Sequence, residues 1–101
     1  SAISVQPSKS LNQRRLMAMR AAKLDAYRVL TEQIHGIHLK GETTIAEAVI
    51  TSDRLATAVA GLIIGAEVDS IKATSDDTYQ VTLSISEAHL KRLISKYRRG
   101  I

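Results

Sequence analysis

The chain contains no cysteine, no phenylalanine and no tryptophan, and its single proline is Pro7. Without cysteine there is no disulfide, no thiol nucleophile and no Cys-type zinc site. That is compatible with cytoplasm or periplasm and does not choose between them. Without Phe or Trp, the core must be built from Leu, Ile, Val and Ala with three Tyr. The longest apolar run, residues 58–66, is interrupted by Gly61 and Gly65. A membrane-crossing helix needs ~20 apolar residues, so nothing in this sequence reads as one. No signal peptide is seen. The chain starts abruptly at Ser1 on a strand-like segment, so a leader or anchor is expected to have been removed ahead of it.

What remains is ordinary globular material. The 101 residues are 45% hydrophobic, enough for one domain, residues 1–101, and not for two. Such a chain buries roughly 65% of its unfolded surface. The net charge of +4 is segregated. Residues 1–40 carry seven Lys/Arg against two acids (+5), residues 41–85 two against seven (−5), and residues 86–101 five against one (+4). Basic ends around an acidic middle suit nucleic acid, an anionic membrane, or another copy of the chain.

Hydropathy periods predict the elements. Ile3 and Val5 alternate with polar residues up to Pro7, a short first strand. Ser8 or Ser10 caps a long helix over residues 11–34. Leu16, Leu24, Tyr27, Leu30 and Ile34 share its apolar face, and Gly36 stops it. Residues 37–43 read as a strand around Gly41. Residues 44–51 are open: Thr44 and Glu47 have capping-box spacing, but Ile45, Val49 and Ile50 would also extend the strand. Ser52 caps a helix with Leu55, Val59, Leu62 and Ile63 on one face, ended by Gly65. Residues 66–73 form a strand whose phase slips between Val68 and Ile71, which a bulge near Ser70 reconciles. Ser75-Asp76-Asp77 is a turn, and Tyr79, Val81, Leu83 and Ile85 alternate through the next strand. Ser86 caps a last helix with Leu90, Leu93, Ile94 and Tyr97 inward, and the tail from Arg98 is expected to fray. The predicted order is β-α-β-α-β-β-α, an α+β (mixed α/β) domain with helices packed on one face of a small mixed sheet. Leu24, Tyr27, Leu30, Leu62, Val81 and Leu83 are the expected core.

A search for chemistry returns no enzyme. His35 and His38 lie three apart with Glu32 three further upstream, but Gly36 breaks the helix between them and spoils a shared ligand face. His89 is read as a surface residue. The carboxylates are scattered, and no serine has a nucleophile-elbow context. No phosphate or dinucleotide loop is present, so neither a cofactor nor a small-molecule substrate is expected. Gly61 and Gly65 form a lone GxxxG that carries no meaning outside a membrane span. Arg14, Arg15, Arg20, Lys23 and Arg28 on the first helix, and Lys91, Arg92, Lys96, Arg98 and Arg99 on the last, leave a basic nucleic-acid-binding module as the alternative function. Three Tyr at core-like positions offer no stacking platform for single strands, which weighs against it.

Several segments occur together in a familiar order. Ala21-Ala22-Lys23-Leu24-Asp25-Ala26-Tyr27-Arg28 is followed by Leu30, Glu32-Gln33-Ile34 and Gly36. Then come Glu42-Thr43-Thr44, Ser52-Asp53, Gly61, Gly65-Ala66-Glu67-Val68 and Asp77-Thr78-Tyr79. This order resembles FlgP and related small outer-membrane lipoproteins over almost the whole chain. Each motif alone is a packing or turn signature. The resemblance implies a protein acylated at a cysteine, held on the periplasmic face of the outer membrane, and needed for flagellar motility as part of a ring or disk around the motor. It implies no catalytic residues. This sequence has no such cysteine: either the anchor is missing here, or this member departs from the pattern and the membrane assignment weakens. The implied partners are other copies of the chain and other flagellar or envelope proteins. We expect the protein contacts to use basic Arg92, Lys96, Arg98 and Arg99 at one end and acidic Glu67 and Asp69 in the middle.

Overall fold

The computed structural model describes residues 10–75 and 77–99. The predicted strand at Ile3 and Val5, Asp76 of the turn, and the last two residues lie outside them. Among the described residues, four helices and four strands follow in order: α1 (Leu11–His35), β1 (His38–Lys40), β2 (Thr43–Thr44), α2 (Ile45–Thr51), α3 (Asp53–Ile64), β3 (Glu67–Ser75), β4 (Thr78–Ser84) and α4 (Glu87–Arg98). The α+β class holds.

Side chains at the ends define the helices. Ser10 Oγ accepts the Gln13 amide at 3.1 Å while Gln13 Oε1 accepts the Ser10 amide at 2.9 Å, a reciprocal capping box. Gly36 ends α1, its amide returning to the Glu32 carbonyl. Gly41, at φ 57°, makes the left-handed corner between β1 and β2 that a side chain would resist. The open question over residues 44–51 resolves as helix. Thr44 accepts the Glu47 amide, and the Glu47 carboxylate accepts the Thr44 amide, so the cap overrides the strand-like alternation. Ser52 then serves two helices, its amide closing α2 on Ala48 and its hydroxyl accepting the Leu55 amide to open α3. Ser86 caps α4 through the His89 amide.

The core is Ile34, Leu39, Ile45, Ala48, Leu55, Val59, Leu62 and Leu93. It gathers the end of α1, β1, α2, α3 and α4, and no residue of β3 or β4 belongs to it. That corrects the expected core. Leu62 is buried, but Tyr27, Leu30, Val81 and Leu83 are only half-buried, and Leu24 is 71% exposed. The reason lies in α1, whose Ala22, Ala26, Leu30 and Gln33 line the cleft against β4. At 3.6 residues per turn, Leu24 points ~160° away from Ala26. Small alanines let β4 lie close, and the larger Leu stripe faces elsewhere.

The strands do not join into one mixed sheet. Among the described residues they form two antiparallel pairs, β1 with β2 and β3 with β4. The bulge expected near Ser70 is present, because the β3–β4 register shifts between Val68 and Ser70. Ser75 pairs with Thr78 to close the hairpin, braced by the Thr74 hydroxyl on the Thr78 carbonyl. The result is elongated, 58 × 29 × 20 Å, with a helical body and an arm in which β4 lies along α1.

Candidate assembly surface

The basic cluster sits on α4 and divides by role. Arg98 Nε donates to the Leu39 carbonyl at 2.7 Å, which fixes the last turn of α4 to β1. The helix is therefore held through Arg98 rather than frayed there, and Arg98 is a structural tie before it is a contact residue. Lys96 stands 5.5 Å from the centre of the Tyr97 ring. Arg92 and Lys96 border a shallow cleft with Ala58 and His89, between α4 and α3. Arg99 caps α4 and is exposed. Lys91 pairs with Glu87 at 3.1 Å on the outer face of the same helix.

The acidic pair sits on β3, and both residues are exposed. Asp69 Oδ1 accepts a 2.8 Å hydrogen bond from the Ser84 hydroxyl across the hairpin. That bond holds the carboxylate at the bulge. α4 packs on α3 and β1 while β3 packs on β4, so the two charge groups belong to different parts of the molecule. A single chain does not bring them together, whereas two chains in contact would be free to.

Several polar groups of the described grooves are already engaged in local hydrogen bonds. In the groove lined by Thr43, Glu47, Ala48, Arg54, Leu55 and Tyr97, the Glu47 carboxylate is occupied by the Thr44 cap. The Tyr97 hydroxyl donates to the Arg54 carbonyl at 3.4 Å. Glu32, considered with His35 and His38, instead pairs with Arg28 at 2.8 Å, and Arg28 also pairs with Asp25 at 2.8 Å. Hydrogen bonds from Arg28 to Asp25 and then Glu32 raise its pKa above the ordinary guanidinium value. Among the described residues no three His, Asp or Glu side chains form a group able to hold a metal. None of the described helices is long and apolar enough to cross a membrane.

Sequence reasoning missed the exposed apolar side chains of the arm. Leu16 is 44% and Leu24 71% exposed on α1, and Val68 is 39% and Ile71 48% exposed on β3. Their periodicity was the visible signal, but period alone assigns a face without saying what covers it. No protein-family model, no curated protein and no solved structure matches this chain.

Proposed function

We propose that this chain is a non-catalytic assembly subunit of the bacterial flagellar motor. On this reading it is tethered by a lipid anchor to the periplasmic face of the outer membrane, contributes to a ring or disk there, and is required for motility. It acts by binding copies of itself and other envelope proteins. The observation that carries the reading is the arm, where a 25-residue helix and a β-hairpin pack together without one fully buried side chain from the hairpin. Leu16, Leu24, Val68 and Ile71 stay in water there. Single exposed apolar residues are normal on any surface. A helix stripe and a strand face both left open are what contact surfaces look like before a partner is seated.

Segregated charge supports the same reading, with basic Arg92, Lys96 and Arg99 on α4 and acidic Glu67 and Asp69 on β3. Contacts between unlike patches are heterologous, and they propagate into rings when the rotation closes. Each exposed ion pair contributes only ~0–1 kcal/mol, so charge sets orientation and apolar contact supplies affinity. Tethering to a membrane raises local concentration and lets weak contacts suffice. The resemblance to FlgP-like lipoproteins supplies the flagellar context. The test is a strain without the protein, complemented by the anchored wild type. Lost swimming restored by complementation, with the protein in the outer-membrane fraction, supports the proposal. Full motility without the protein would contradict it.

A further inference from the structure

We propose that the groove between α2, α3 and α4 binds an organic acid, one carboxylate on a compact apolar body, with the carboxylate at Arg54 and Lys96 and the body on Leu55, Ala48 and Tyr97. The inference goes beyond the assembly reading and does not depend on it.

The groove follows from the corner at Ser52. That residue closes α2 with its amide and opens α3 with its hydroxyl. Its own backbone is extended, at φ −129° and ψ 105°, so the helical path breaks there. α4 packs against α3 and β1. The space left between the three helices measures about 640 Å³, inside the ~300–1,000 Å³ range of small-molecule sites. Its lining includes Ala48 and Thr51 of α2, Arg54 and Leu55 of α3, and Lys96 and Tyr97 of α4. Leu55 is 1% and Ala48 7% exposed, so these two are core side chains held by their own packing. They give an apolar body a preformed surface. The Tyr97 hydroxyl donates to the Arg54 carbonyl at 3.4 Å, which ties this aromatic wall on α4 to the first turn of α3.

Charge selects the ligand. Arg54 and Lys96 are exposed, and among the described residues neither forms an ion pair with an acid. Lys96 Nζ stands 5.5 Å from the centre of the Tyr97 ring, which keeps its charge beside the wall. The acid in the same lining, Glu47, is engaged elsewhere: its carboxylate accepts the Thr44 amide at 3.4 Å and the Thr44 hydroxyl at 3.2 Å. Two cations against one engaged carboxylate leave the groove positive. It therefore favours an anion, and Glu47 disfavours a second negative group. The forked donors of Arg54 suit a carboxylate. Such a group occurs both as a free aromatic acid and as the last residue of a polypeptide, and the site recognises the chemistry the two share.

NMR titration of the isotope-labelled chain tests this with two matched pairs: indoleacetate with indoleacetamide, and acetyl-glycyl-leucine with its C-terminal amide. The backbone amides of Thr51, Leu55 and Tyr97 should shift saturably with the acids. The neutral partners should bind at least about threefold more weakly, the scale of one exposed ion pair. Arg54→Gln and Lys96→Gln should each weaken the acids about three- to fivefold and leave the neutral partners unchanged. Lys91→Gln, at the residue paired with Glu87, should change neither. Tighter binding of the peptide would identify a polypeptide end as the source, and tighter binding of indoleacetate a free acid. Equal binding of acid and amide by the unaltered chain would overturn the proposal, whether or not the variants fold. Shifts as large at Arg92, Arg99 and the first helix as in the groove would overturn it by showing charge attraction without a site. No saturable shift at millimolar concentration would overturn it too.

Discussion

The guanidinium of Arg98 donates to the carbonyl of Leu39 at 2.7 Å, joining residues 59 positions apart. Leu39 is fully buried at the centre of the three-residue β1, so the bond anchors the last turn of α4 to the smallest strand pair. Arg98→Ala should destabilise the fold by ~1–2 kcal/mol, near the range for hydrogen bonds from charged groups. Arg99→Ala, one residue on, should change it by less than ~0.5 kcal/mol. Equal urea midpoints for the two variants would show that the bond contributes nothing.

This separation matters for any test of the basic surface. Reversing all of Arg92, Lys96, Arg98 and Arg99 would weaken the fold and the contact together. Reversing Arg92, Lys96 and Arg99 alone should leave the melting temperature nearly unchanged and impair motility in the anchored protein. Normal motility at normal abundance would reduce these residues to a solvated helix face.

The core assignment makes graded predictions. Leu55→Ala removes a side chain 1% exposed and should cost ~2–5 kcal/mol. Leu30 is only half-buried, so its truncation should cost about half of that range. Leu24→Ala should be neutral within ~0.5 kcal/mol, because Leu24 is 71% exposed. Chemical denaturation of the three variants checks the order, and a large loss for Leu24→Ala would mean that its face is covered within the monomer.

The turn at Gly41 gives an independent check on the β1–β2 pair. At φ 57°, Gly41→Ala should cost ~1–2 kcal/mol from the left-handed backbone alone, and Gly41→Asn less. No atom lies within 4 Å of an added Cβ, so crowding does not confuse the reading. Alanine as stable as glycine would show that the corner relaxes.

A nucleic-acid role makes a different forecast. Tyr27, Tyr79 and Tyr97 are each half-buried, which leaves few ring faces for bases. Oligonucleotides should bind weakly and without sequence preference, through charge alone. Tight, saturable binding with a steep salt dependence would favour the alternative.

Much of this architecture was legible in local sequence. Ser10, Thr44 with Glu47, Ser52 and Ser86 all cap helices as their spacing suggests, and the slip between Val68 and Ile71 is a true bulge. Where the reading failed, the missing information was non-local. α1 has both an alanine face and a leucine stripe, and period alone does not say which one meets β4. The strands carry a clean alternation but no label for their partners, so two hairpins read as one sheet. The Arg98–Leu39 bond has no local signature. The charged residues of the proposed contact surface stand out by segregation of charge; of the exposed apolar residues, Leu24 was expected in the core, and Leu16, Val68 and Ile71 were read only by their period.

The central claim is that the chain builds a structure around the motor, and electron cryotomography of flagellar motors in cells lacking it tests this most directly. The account predicts that a ring or disk density beneath the outer membrane disappears and returns when the anchored protein is restored. Motors with unchanged density in the absence of the protein would contradict it.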